Sequence, residues 1–450
     1  MFFVALTLLF FLLYIERDMK VTVIGTGYVG LATGVSLSEK GHQVACIDIN
    51  EEKIKMLRAG RSPIFEKDIE ELLQKNIAEK RLFFDTEMGW AVRDSSVIFI
   101  AVGTPSLENG EADLSQVRSA AEGIGKSLGG KKYPFKVIAN KSTVPIGTGD
   151  IVKEIISWHY RGPFDVISNP EFLREGNAIE DALHPDRIVI GDGDERARKL
   201  MLELYGDYNC PKVLTDVKSA EMIKYASNSM LATQISFINS IAQICEKLGA
   251  DVRQVAEGMR LDKRIGPHAF LDAGIGYGGS CFPKDVAALI QMAKGAGFNF
   301  EMLRATEMVN KAQRQLVIEK VKEAVLDLKD KTVAVWGLAF KPGTDDLREA
   351  PAIDIVKSLQ YYGAKIKAFD PVAEKNAKAI LSDVVYCPNP YETVRGADVL
   401  VIATQWPQFR NLDLAKIKKL MVSPIIIDGR NVFDRAIMEK EGFNYQGIGQ

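Results

Sequence analysis

KVTVIGTGYVGLATGVSLSEKGHQVACIDIN, residues Lys20 to Asn50, is the stretch that decides the fold. A β-branched run stops at a cluster of glycines, a helical segment follows, and a second apolar run closes the unit. That order is one βαβ element. Apolar β-branched runs recur at Ser96–Val102 (SVIFIAV), Lys136–Ala139 (KVIA), Asp165–Ser168 (DVIS) and Arg187–Ile190 (RIVI), with helical stretches between them. The alternation predicts an α/β fold with a mostly parallel, doubly wound sheet.

Beyond this region the pattern changes. One long helical run without internal Gly or Pro is expected from Asp216 to about Gly249, and a second from about Asp285 to Leu328. At Lys331 a new βα alternation starts with KTVAVWG and continues through AKIKAFDP, ADVLVIATQ and PIIIDGR, with no GxGxxG. With 450 residues the chain is too long for one core. The expectation is therefore two Rossmann-like doubly wound parallel-sheet domains joined by a central helical region. Their bounds are 19–215 for dinucleotide binding, 216–328 for connection and dimerisation, and 329–450 for a different nucleotide ligand.

Composition narrows the class. A net charge of −2 gives no basic surface for nucleic acid, and 47% hydrophobic with 26% charged residues is the balance of a folded chain. The five cysteines are widely spread and contain no CxxC pair, so neither a disulfide framework nor a metal site is expected and a reducing cytoplasm fits. The opening MFFVALTLLFFLLYI is apolar apart from Thr7. It is shorter than the about 20 residues of a spanning helix and lacks a basic start. Because Met19 directly precedes the first strand, residues 1–18 are expected to be an extended start or hydrophobic appendage outside the fold, with no firm membrane partner.

Chemistry is carried by five places. Gly25, Gly27 and Gly30 form GxGxxG between strand and helix, where a pyrophosphate can approach backbone N–H groups; Tyr28 and Val29 complete the loop. Asp48 ends the next strand, where a carboxylate accepts ribose hydroxyls and repels a 2′-phosphate, favouring NAD over NADP. Glu171 and Glu175 follow the strand DVIS and, four apart, could share one face of a helical turn and handle a proton. Thr143 follows KVIA at the same sheet edge, where its hydroxyl could orient a substrate oxygen, although Thr before a Val-Pro turn is equally a structural choice. Glu221, Lys224 and Asn228 make a polar stripe on the long helix: either a solvated face or an oxyanion site.

Cys281 is the sharpest. In YGGSCFPKD it follows two glycines and precedes Pro283, Lys284 and Asp285 at an expected helix start. A helix N-terminus and a nearby lysine both favour the nucleophilic thiolate. Cys46, Cys245 and Cys387 read as small buried hydrophobes.

Together GTGYVG, VGTP, STVP, NPEFLREG with HPDRIVIG, AEMIKYASN, RIG, GYGGSCFPKD, AFKPGTDDLRE and DGRN, in one order from Lys20 to about Val432, resemble the nucleotide-sugar 6-dehydrogenases. The resemblance implies a four-electron oxidation of a sugar C6 alcohol to a carboxylate with two NAD and one water. It implies Cys281 as the thiol that traps the aldehyde, Glu171, Asp285 and Thr143 around the water, and Lys224 and Asn228 at the oxyanion. NAD contacts are implied for the glycine loop, Asp48, Lys53, Thr104, Thr143, Glu175, Lys284 and Arg348. UDP-sugar contacts are implied for Glu171, Phe172, Leu173, Lys224, Asn228, Phe270, Tyr277, Gly278, Phe340, Lys341 and Arg430, with Arg264 reaching in from a second subunit of a homodimer.

Within the family, N-acetyl-sugar enzymes resemble PERxxPG where this chain has PEFLREG, and GDP-mannose enzymes resemble PPMTVIG where it has PDRIVIG. UDP-glucose is the substrate this implies. A two-electron 3-hydroxyacid-type dehydrogenase would need neither Cys281 nor the C-terminal lobe, and a non-catalytic nucleotide-binding protein would show no thiol chemistry.

Overall fold

Eight strands form the sheet of the first unit: β1 (Lys20–Ile24), β2 (Gln43–Ile47), β3 (Leu82–Asp85), β4 (Val97–Ile100), β5 (Lys136–Asn140), β6 (Phe164–Ser168), β7 (Ile188–Gly191) and β8 (Lys212–Thr215). The computed structural model describes residues 18–450, so the leader, apart from Asp18, lies outside the described residues. The strand order is β3-β2-β1-β4-β5-β6-β7-β8. Neighbours are parallel except at β6 and β7, which meet antiparallel at Ser168 and Gly191. The apolar runs follow from burial on both faces. In β4, Val97 and Phe99 enter one core with Leu31 and Val35 of the helix Tyr28–Glu39, while Ile98 and Ile100 enter the other with Ile124 and Ile156. Each such fully buried side chain contributes about 1.5–3 kcal/mol of transfer free energy.

The second unit repeats the plan. Its strands β9 (Thr332–Trp336), β10 (Lys365–Phe369), β11 (Val384–Tyr386), β12 (Val399–Ile402), β13 (Ile425–Asp428) and β14 (Asn444–Gln446) are ordered β11-β10-β9-β12-β13-β14, all parallel. This is the two-halved order in which the chain reverses beside the first strand. Trp336 is fully buried, packs on Phe409 at 5.0 Å between ring centroids, and donates its indole N–H to the Pro390 carbonyl.

Among the described residues the compact units are 18–107 with 112–224, and 108–111 with 225–450. The helix Val217–Leu248 is continuous. The single run expected from Asp285 to Leu328 is two helices, Phe282–Gly295 and Glu301–Val325. Gly297 causes the break: its φ of +77° is left-handed, and its N–H and that of Phe298 close back on Lys294 and Ala293. A further helix, Val252–Arg260, is capped by the Asp251 side chain. Among the described residues no helix is long and apolar enough to cross a membrane.

Candidate active site

The β1 turn is built by close approach. A Cβ on Gly25, whose φ is +100°, would lie 2.5 Å from the Ala101 carbonyl oxygen after β4, and one on Gly30 would lie 1.9 Å from the Gly25 oxygen. Gly27, which begins the helix Tyr28–Glu39, faces open space. This is the switch point between β1 and β4, where ligands of open α/β sheets bind. Val29 packs into the core beneath. Asp48 accepts from the Thr26 N–H at 2.9 Å, the Thr26 hydroxyl at 2.7 Å and the Asn50 N–H at 3.0 Å. Partial burial raises its carboxyl, but these bonds and the Lys53 charge outweigh that and hold it below the ordinary carboxylate value. An ionised acid beside an open glycine turn fits the ribose and pyrophosphate of NAD. Nearby in the fold, Thr104 donates its hydroxyl to the Thr143 carbonyl at 2.9 Å.

After β6 the chain does not form the helical turn expected for Glu171 and Glu175. Residues 169–174 are irregular, and the next helix starts only at Ala178. The physical reason is local: Glu171 folds back to accept the Leu173 N–H, which holds the loop open. Its other oxygen lies 2.8 Å from Lys224 Nζ. Burial pushes the Glu171 carboxyl up, and Lys224 by charge and hydrogen bond, with the Leu173 N–H, brings it below the ordinary value. Phe172 lies under both cations, 3.7 Å from the Arg187 guanidinium and 5.4 Å from Lys224 Nζ. Leu173 packs into the core. Glu221, Lys224 and Asn228 are all buried, so the polar stripe is not a solvated face.

Lys141 was not among the expected site residues. Its ammonium donates to Asn169 Oδ1 at 3.0 Å and reaches the Tyr205 hydroxyl, and burial lowers it to about 8, with Glu171 pulling it up and Lys224 pushing it down. The signal was available, because Lys141 follows β5 by the same rule that selects Thr143.

In the second unit Cys281 caps the helix Phe282–Gly295, with Pro283 in the first turn, and its sulfur lies 3.5 Å from the Ser280 hydroxyl. It is partly exposed, whereas burial pushes the Cys46 thiol up to about 12 and raises Cys387 as well. Asp285 is 1% exposed. One of its oxygens accepts from Asn228 Nδ2 at 2.6 Å and the other from Lys284 Nζ at 2.5 Å. Three expected site residues thus meet at one carboxylate.

A second group gathers around Phe282, with Phe270 at 6.4 Å and Tyr277 at 6.0 Å between ring centroids. Gly278 packs against the Glu349 carbonyl. Arg430 donates to the carbonyls of Ala403, Gly276 and Phe340, and burial lowers its guanidinium to about 10. It knits the loops that carry Tyr277, Gly278, Phe340 and Lys341. Arg348 is paired through two nitrogens with Asp346. Arg264 has a side chain 90% exposed and pairs with Asp262 at 2.6 Å.

The UDP-glucose 6-dehydrogenase TuaD of Bacillus subtilis (strain 168) is 48% identical over 434 residues, 96% of this chain and 93% of that protein. A UDP-glucose 6-dehydrogenase of Pseudomonas aeruginosa is 44% identical over 96% of this chain and 98% of its own length. Among solved structures, a UDP-glucose dehydrogenase from Pyrobaculum islandicum superposes with a TM-score of 0.91 at 38% identity, covering 97% of this chain and 99% of that one. Three family models match in order: the NAD binding domain over residues 19–209, the central domain over 218–312 and the UDP binding domain over 334–435. With the glycine turn of β1, the buried lysine–carboxylate pair and the thiol at a helix N-terminus in place, the chain belongs to the UDP-glucose/GDP-mannose dehydrogenase family of NAD-dependent nucleotide-sugar oxidoreductases.

Proposed function

We propose that this enzyme oxidises C6 of UDP-glucose to the carboxylate of UDP-glucuronate, with Cys281 holding the sugar covalently between two oxidations. The observation that carries the reading is the thiol itself: a partly exposed cysteine at a helix N-terminus beside a lysine–aspartate–asparagine cluster. A thiol so placed can act as the nucleophile.

NAD supplies the hydride acceptor when bound, and Gly25, Gly27, Tyr28, Val29, Gly30, Asp48, Lys53, Thr104, Thr143, Glu175, Lys284 and Arg348 would hold it. In the first oxidation the C6 alcohol loses a hydride and a proton, the proton passing to the lysine–carboxylate system of Lys224 and Glu171. The Cys281 thiolate then adds to the aldehyde carbon, giving a thiohemiacetal whose oxyanion Lys224 and Asn228 would stabilise. Loss of a second hydride leaves a thioester. Water oriented by Glu171, Thr143 and Asp285 adds, the C–S bond breaks, and carboxylate and thiolate are released. One alcohol, one water and two NAD become one carboxylate, two NADH and three protons.

The uracil and diphosphate would lie on Phe270, Tyr277, Gly278, Phe340, Lys341 and Arg430, and the sugar beside Phe172 and Leu173. PEFLREG and PDRIVIG support glucose over N-acetyl sugars and GDP-mannose. The division of labour we infer is residues 19–215 for NAD, 216–328 for connection and dimerisation, and 329–450 for the UDP-sugar. A homodimer is supported by Met230, Phe237 and Ile244, spaced seven apart on one helix and each at least half exposed. The exposed Arg264 would then serve the partner's site. Cysteines that are all free support a cytoplasmic enzyme.

A panel of nucleotide sugars with NADH counted per sugar tests the reading. Two NADH from UDP-glucose is expected. A ratio of one, or turnover only with another nucleotide sugar, contradicts it.

A further inference from the structure

We propose that Glu221 is a positioning residue for this reaction, a strut that fixes the Thr143 loop against the helix carrying Lys224. The inference rests on the function proposed above.

Glu221 is 2% exposed and lies one turn before Lys224 on the helix Val217–Leu248. Its two oxygens accept from the Gly147 N–H at 2.6 Å and the Gly149 N–H at 2.9 Å. Those donors open the helix Thr148–His159, whose N-cap, Gly147, has no side chain to satisfy them. First-turn N–H groups need an acceptor, and the helix dipole favours an anion there. Here the carboxylate comes from another element, so one side chain ties two elements together.

What it ties is specific. Residues 141–147 connect β5 to that helix and carry Thr143. Ser142 anchors the start of the connection on the Ile100 and Val102 carbonyls, and Glu221 anchors its end. One turn further along the same helix, Lys224 is held by Glu171. The Thr143 loop and the Lys224 ammonium therefore share one rigid reference, and a slip of about 1 Å in such a site can cost a hundredfold in rate.

The strut is sensitive to acid. Burial pushes the Glu221 carboxyl up to about 6, only partly opposed by the two N–H groups. Asp150 on the facing helix raises it and Lys218 on its own helix lowers it, the two forming a rim pair at 3.6 Å. Lys224 on the next turn pairs with Glu171. Protonation weakens both acceptors and turns an O–H toward the N–H groups, which releases the loop.

The test is Glu221→Gln, which keeps the shape but offers one oxygen to two N–H groups. Expected are a kcat about tenfold lower, KM values for NAD and UDP-sugar within about twofold of wild type, and loss of an acid limb in kcat near pH 6. Amide hydrogen exchange at Gly147 and Gly149 should quicken while residues 152–158 stay protected. A variant with kcat within twofold of wild type, or with an unchanged acid limb, overturns the proposal. Should the variant fold poorly, the wild-type enzyme decides: with the folded state followed by circular dichroism, no acid limb in kcat between pH 5 and 7 also overturns it. Exchange at Gly147 and Gly149 needs no substrate, so it separates failure of the strut from failure of the proposed reaction.

Discussion

Lys224 Nζ stands 2.8 Å from Glu171 Oε1, with only 4% and 5% of the two side chains exposed. A pair this deeply buried is costly to break, because the survivor becomes an unpaired buried charge. Lys224→Met should destabilise the protein by about 3–5 kcal/mol, and adding Glu171→Gln should recover most of that. Urea unfolding of the single and double variants checks it. Both should lose turnover, so stability and activity part company in the double variant. The pH sign follows from the depressed Glu171 carboxyl. Its contribution is complete above the unfolded value near 4.5 and is lost as pH falls through the lower folded value, a slope the double variant should lack.

Lys141 points the other way. Its ammonium is lowered to about 8 by burial, so charging it in the folded state opposes folding. That cost is full below pH 8 and fades as pH rises from there toward the unfolded value near 10.5. Lys141→Met should therefore raise the melting temperature at pH 7 while lowering kcat, because a cation beside Glu171 and Lys224 is lost. Calorimetry and steady-state kinetics on one preparation give both numbers.

Asp48 offers a cofactor test. With its carboxylate ionised and fixed by Thr26 and Asn50, a 2′-phosphate meets a fixed negative charge. Asp48→Ala should raise KM for NAD about tenfold and narrow the preference over NADP. Unchanged selectivity between the two cofactors would remove Asp48 from the ribose site.

The exposed stripe predicts an assembly. Phe237→Glu puts a charge into the middle of Met230, Phe237 and Ile244 and should convert a dimer to a monomer in light scattering, with the fold retained by circular dichroism. Dimers of unchanged strength would move the interface elsewhere.

How much of this was legible in the sequence depended on the length of each signal. The core strands β1, β4, β9 and β12 are apolar on both faces and stand out as runs. The edge strands β8 and β11, of four and three residues, have half-exposed sequences such as KVLT and VVY that no periodicity marks. The long helix was readable because the run from Asp216 holds no breaker before Gly249, while the break after Gly295 was missed although two glycines within three residues, Gly295 and Gly297, mark a turn. Among the candidate residues, local spacing misjudged Glu171 and Glu175, which lie in an irregular segment before the helix that starts at Ala178. A carboxylate bonded to the N–H two residues on competes with the helical turn that spacing suggests. Lys141 and Glu221 owe their character to burial by distant segments, including Tyr205 and Gly147, which sequence proximity does not reveal.

The central claim is that Cys281 carries the sugar between two oxidations, and the most direct measurement is UDP-glucuronate formation by Cys281→Ser, quantified by chromatography beside an NAD-binding titration. Acid formation should fall by at least about a thousandfold with NAD affinity unchanged. UDP-glucuronate produced at the wild-type rate would contradict the covalent mechanism.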